Sequence, residues 1–271
     1  MKDETQYVRI TSPSVPEDEI RRLASTALTV LAGSVPTHVD VLNARLADIT
    51  TAFIAPDEED RHQALLGLRQ DGIDPHDIID HVIPAAARLL GEQWMADTIS
   101  FAHVTIGAAR MQETVHALSI RPTAPVARDR RRDVPTVLLI VPRGEQHTLG
   151  PCVLADQFRR LGYRAVIMVD SKPDEIVAQL RTQRFALVGI SVGARRTLAS
   201  VKDLVELIAS VVTRVTPVVL GGASLDRAET ELHLTGAHGV ARDAREALRV
   251  CGLPVLAEDG PVRSHTGGVT A

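Results

Sequence analysis

Cysteine is nearly absent: Cys152 and Cys251 are the two in 271 residues, and they do not form a C-x-x-C pair. The opening Met1-Lys2-Asp3-Glu4-Thr5-Gln6 carries acids and no apolar stretch, so it is not read as a secretory leader. A disulfide framework or a cysteine zinc site is therefore not expected. Aromatic residues are only 3%, so the core has to be built from Ala, Val, Leu and Ile. That suits packed helices and parallel strands better than an aromatic-rich sandwich. No apolar run reaches the length of a membrane span, and the expected location is the cytoplasm. Excess positive charge is lacking too: 30 Lys and Arg face 34 Asp and Glu, a net charge of -4. Phosphate backbones need a concentrated positive field, so nucleic acid is not attracted by the chain as a whole. What is present, 45% hydrophobic and 24% charged residues, is ordinary globular composition over a length fit for two modest domains.

Residues 17–119 carry a helical rhythm and are expected to form a bundle of four or five helices behind a flexible 1–16. Ile78, Ile79, Val82, Ile83, Ala86, Leu89 and Leu90 mark one face of a helix. Asp74 before Pro75 reads as its N-cap followed by proline at the first turn, and Pro84 is expected to kink it. Val104, Ala108, Met111, Val115 and Leu118 mark a second helix, with others expected over 17–31, 39–53 and 57–69. The segment 120–135 breaks the pattern with prolines and with Arg121, Arg128, Arg130, Arg131 and Arg132, and reads as an interdomain linker. Beyond it, short apolar runs alternate with helices. Strands are expected at 136–141, 165–168, 186–191, 217–220 and 238–240, and helices at 149–161, 173–181, 197–212, 226–234 and 241–251. Strands that are apolar throughout, each followed by a helix, imply a parallel sheet covered on both faces. The expected fold over 136–253 is a flavodoxin-like five-stranded doubly wound domain, with 254–271 as a disordered tail.

Ligands of such sheets bind outside the carboxyl ends of the strands, at the switch point. The loop after the first strand reads Arg143-Gly144-Glu145-Gln146-His147-Thr148-Leu149-Gly150. The third strand ends Ser191-Val192-Gly193, and the fourth ends Gly221-Gly222. The first loop lacks the Gly-Lys-Thr ending of a phosphate loop and the spacing of Gly-x-Gly-x-x-Gly. Neither strand ends in the aspartates of a phospho-receiver.

Taken together these three elements resemble the cobalamin-binding pattern Asp-x-His-x-x-Gly, Ser-x-Leu, Gly-Gly, here as Glu145-x-His147-x-x-Gly150, Ser191-x-Gly193 and Gly221-Gly222. The resemblance implies that His147 is the lower axial ligand of cobalt, displacing the cofactor's own base, since imidazole is the natural protein donor. It implies that Glu145 orients that imidazole. Gly150, Gly193, Gly221 and Gly222 would leave room for the nucleotide tail, and Ser191 would hydrogen-bond its base. The upstream helices resemble the family's cap over the upper corrin face, marked by Leu90-Gly91-Glu92-Gln93-Trp94 and by the helix carrying His103. Trp94 reads equally as a core aromatic, and His103 as an ordinary histidine.

More narrowly, Ser100-Phe101-x-x-Val104-Thr105-Ile106-Gly107 with Gly144-Glu145-Gln146-His147-Thr148-Leu149-Gly150 is similar to the AerR/PpaA group, related to the SCHIC domain. That similarity implies a cobalamin-binding regulator of photosynthesis genes, an antirepressor acting on a DNA-binding repressor in response to light or oxygen. Heme is an alternative cofactor in the wider group. Two departures stand out: Glu145 replaces aspartate and is expected to hold His147 less tightly, and Gly193 replaces leucine and is expected to loosen the third-strand wall. Val104-Thr105 stands where methyl carriers often present a Glu-His pair, which argues against a corrinoid methyl-carrier subunit and against catalysis of its own. A cofactor-free signalling module is the remaining alternative. No helix-turn-helix is convincing, so DNA contact is expected through a partner.

Overall fold

The computed structural model describes residues 38–119, 134–193, 198–212, 216–222 and 235–257. The helices expected at 17–31 and 226–234, most of the arginine-rich linker, and the tail from 258 lie outside the described residues. The chain divides into two compact units, Met1–Arg45 and Leu46–Ala271. The helical segment from residue 46 and the sheet therefore belong to one unit.

Helix α1, His38–Ile54, buries Ile49, Ala52 and Phe53, a set spaced to share one face. Helix α2, Glu58–Gln70, starts at Asp57, whose carboxylate accepts the Glu59 amide at 2.9 Å. Asp74 is the N-cap expected from the sequence: its side chain accepts the His76 amide at 2.8 Å, with Pro75 next. One α-helical turn, Pro75–Asp77, then gives way to a π-helical turn, Ile78–Val82, before α3, Ile83–Met95. The Ile83 amide bonds to the Ile78 carbonyl, five residues back. Pro84 has no amide proton to continue an α ladder. The irregularity expected at Pro84 thus takes the form of a wide turn just before it, and Ile78, Ile79, Val82, Ile83, Ala86 and Leu90 all stay buried. Helix α4, Phe101–Ser119, buries Met111 and Val115. At Gly107 a Cβ would lie 2.6 Å from Leu90 and 3.1 Å from Ile54, so glycine permits this close helix packing.

The sheet comprises β1 Thr136–Val141, β2 Arg164–Val169, β3 Leu187–Ser191, β4 Val218–Gly221 and β5 Gly239–Val240, all parallel, in the order β2-β1-β3-β4-β5. Helices α5 Leu149–Arg160, α6 Pro173–Thr182, α7 Leu198–Val211 and α8 Ala244–Val250 follow strands β1, β2, β3 and β5. Alternate residues serve opposite faces. Leu138, Ile140, Val188, Ile190, Val218 and Leu220 pack with Ile176, Leu180, Val201 and Ile208. Val137, Leu139, Leu187 and Val219 pack with Ala155, Phe158, Ala244 and Leu248 on the other side. Complete burial of each such aliphatic side chain is worth roughly 1.5–3 kcal/mol, which is why the strands read as unbroken apolar runs.

The segment after α8 departs from the expected tail. Tyr163 donates its hydroxyl to the Pro254 carbonyl at 2.6 Å, and the amides of Leu256 and Ala257 both donate to the Leu161 carbonyl. Residues 254–257 therefore lie bound along the end of α5, whose carbonyl would otherwise lack an intrahelical partner.

Candidate cofactor site at the switch point

Chain order reverses between β1 and β3, so the loops leaving these strands flank the switch point. Pro142 turns the chain out of β1: its carbonyl accepts the Glu145 amide at 3.0 Å, with Gly144 at φ +77° allowing the turn. The turn sends Glu145 inward and leaves His147 outward. The Glu145 side chain is 3% exposed and that of His147 73% exposed.

Both oxygens of the Glu145 carboxylate accept hydrogen bonds. Oε1 accepts the Gln146 amide at 3.0 Å and the His147 amide at 3.2 Å, and meets His147 Nδ1 in a short contact. Oε2 accepts the Gly193 amide at 2.9 Å, reaching across to the loop after β3. Burial would push this carboxyl up. The hydrogen bonds from the His147 ring and backbone, the imidazole charge and the Gly193 amide outweigh it, and the group is held below its ordinary value of 4.5. With Nδ1 engaged by the carboxylate, Nε2 is the other ring nitrogen of an exposed imidazole.

The glycines divide in their uses. Gly150, in the first turn of α5, has nothing within 4 Å of where a Cβ would stand. Gly221 borders the Ala241 carbonyl, 3.3 Å from such a Cβ. At Gly193 the space expected to be free is filled by the Glu145 carboxylate, and at Gly222 by the backbone of Val192. Gly222 adopts φ +134°, and the Val192 amide donates to the Gly221 carbonyl at 2.7 Å, so the β3 and β4 loops meet closely. Ser191 ends β3 half-buried, in register with Gly221.

On the helical segment, Trp94 is 45% exposed, which removes its reading as a core aromatic. Its ring stands 5.9 Å from that of Phe101, and Met95, Phe101 and Ile106 are exposed beside it in sequence. His103 is exposed and occupied locally: Nδ1 accepts the Ser100 amide at 3.3 Å, while Ser100 Oγ takes the His103 amide at 3.4 Å. This reciprocal pair caps the start of α4. Sequence reasoning missed Gln112, whose amide donates to Thr148 Oγ1 at 2.6 Å and ties α4 to the residue after His147. Its one signal is a polar residue four after Ala108, beside the apolar stripe. Cys152 opens α5 half-buried. Burial pushes its thiol up against the opposing pull of Arg159, which fits packing better than redox sensing.

Among the described residues no three His, Cys, Asp or Glu side chains are grouped to hold a metal ion. No helix among the described residues is long and apolar enough to cross a membrane.

Known proteins match this chain in both halves. Residues 135–251 match one B12 binding domain and residues 45–119 another. The chain is 37% identical over 163 residues to an uncharacterized 20.5 kDa protein in the bchF-crtJ intergenic region of Rhodobacter capsulatus, covering 60% of this chain and 84% of that protein. The monomethylamine corrinoid protein of Methanosarcina barkeri has the same fold, with a TM-score of 0.60 at 18% identity, covering 77% of this chain and 97% of that one.

Proposed function

Because the chain belongs to the family of B12-binding domain proteins, we propose that it is a cobalamin-dependent regulator, with His147 as the lower axial ligand of cobalt and an antirepressor action on a DNA-binding partner. The observation that carries the ligand assignment is the Glu145–His147 pair. A buried carboxylate whose two oxygens both accept hydrogen bonds meets Nδ1 of the exposed imidazole, which leaves Nε2 as the nitrogen for cobalt. A carboxylate on the remote nitrogen fixes the tautomer and raises the basicity of the ligating one.

Gly150 gives open space one helical turn beyond the imidazole, and Gly221 and Ser191 stand at the neighbouring strand ends for a nucleotide tail. Trp94 and Phe101 offer an apolar surface suited to a corrin face. When bound, cobalamin supplies a cobalt whose upper ligand can be exchanged or cleaved, which is an input a sensor can use. The domain matches favour a corrinoid over heme. The regulatory half rests on the similarity to the AerR/PpaA group and on the gene position of the Rhodobacter capsulatus relative.

An absorbance titration with hydroxocobalamin tests the ligand. Wild-type protein is expected to shift the cobalamin spectrum on tight binding, and His147→Ala to lose that binding. Equal affinity in the variant refutes the assignment. Transfer of a methyl group onto the reduced bound cofactor by a partner methyltransferase would favour the carrier reading over the regulator.

A further inference from the structure

The two departures from the cobalamin-binding pattern, a longer acid at 145 and a missing side chain at 193, meet in space. A Cβ at Gly193 would lie 2.6 Å from both Cδ and Oε1 of Glu145 and closer still to Oε2. We propose that Gly193 is a positioning residue for His147: its bare backbone forms the seat of the Glu145 carboxylate, and the two positions work as a coupled pair across the switch point. The cobalt half of this proposal rests on the cobalamin reading of the site; the coupling itself stands on the geometry.

The two carboxylate oxygens divide their work. Oε1 serves its own loop, taking the Gln146 and His147 amides and the imidazole, while Oε2 takes the Gly193 amide 48 residues away. An acid one methylene shorter at 145 would not span both loops from the same backbone. A leucine at 193 would occupy the volume the carboxylate now fills. The wall expected to be loosened by Gly193 is thus refilled by Glu145, and the imidazole is held from the neighbouring strand as well as from its own loop.

Alanine at 193 pushes against the free end of a flexible side chain, so the carboxylate is displaced and the fold need not break. Displacement separates Oε2 from the Gly193 amide and Oε1 from the imidazole together. Four proteins test this: wild type, Gly193→Ala, Glu145→Asp and the double variant, each titrated with hydroxocobalamin and melted without ligand. With Glu145 in place, Gly193→Ala is expected to weaken binding by about 10- to 100-fold, the usual effect of disturbing a ligand's supporting partner. It should also lower the melting temperature. In the Glu145→Asp background the same change should alter affinity by less than about threefold, a departure from additivity that marks coupled residues. Equal losses in both backgrounds, or none in the first, overturn the proposal. If wild type itself fails to bind cobalamin, the cobalamin reading fails. The unliganded melting cycle, with hydrogen exchange at the Gly193 amide, then decides the coupling alone.

Discussion

At the scale of single residues, the site is governed by one buried carboxylate. Glu145 titrates below its ordinary value of 4.5 in the folded chain, so the unfolded chain binds the proton more readily. Its contribution to stability is therefore present above that ordinary value and is lost as pH falls through the lowered one. Glu145→Gln removes the charge and keeps the shape. The melting temperature of the variant is expected to lie below wild type at neutral pH and to converge with it in acid. Parallel curves across the whole range would contradict this. The contact between Glu145 and His147 was legible from spacing and resemblance; the reach of the same carboxylate to the Gly193 amide was not. Spacing shows a longer side chain at 145; it does not show that the backbone at 193 comes to meet it.

At the scale of elements, the π-helical turn before α3 has a consequence for packing. Asp80 lies in it and accepts Arg160 Nη2 at 2.6 and 2.8 Å and Gln157 Nε2 at 3.0 Å. Arg160, only 7% exposed, also donates Nε to Asp156 at 2.8 Å, and Gln157 Oε1 accepts the Ala244 amide of α8 at 3.1 Å. The turn is thereby joined to α5 through one buried guanidinium, and α5 to α8 through the side-chain amide of Gln157. Asp80→Ala should destabilise the protein by about 2–3 kcal/mol, the cost of removing a carboxylate from a charge kept out of water. Urea denaturation reads this directly, and a loss under about 0.5 kcal/mol, typical of exposed pairs, would refute it. Tyr163→Phe should cost about 1 kcal/mol by freeing the Pro254 carbonyl. Its check is faster proteolysis after α8, because residues 254–257 would lose an anchor. The helices and strands themselves were readable from apolar period and from Asp74-Pro75. The Arg160 network and the anchored 254–257 were not, since each joins residues distant in sequence, and the π turn was expected only as a kink at Pro84.

At the scale of the molecule, bonds among the described residues tie the helical segment to α5 and the loop before it: Asp80 to Arg160 and Gln157, and Gln112 to Thr148. The last lies beside His147, so a cofactor bound there as proposed would be linked to the position of α4. Saturating hydroxocobalamin should raise the melting temperature of wild type, by mass action worth about 2.7 kcal/mol at one hundred times Kd, and leave His147→Ala unchanged. An equal rise in both would place the binding elsewhere. Sequence alone determined the helical half, the five parallel strands and the loops that carry Glu145, His147 and the glycines. Those features follow from local period, capping and turn chemistry, which act over a few neighbouring residues. Tertiary structure decided which glycines stay open and which are filled, that Trp94 faces solvent, that His103 caps its own helix, and that Glu145 bridges two loops. Each depends on the distance between groups brought together only when the sheet closes, and chain order does not encode that distance.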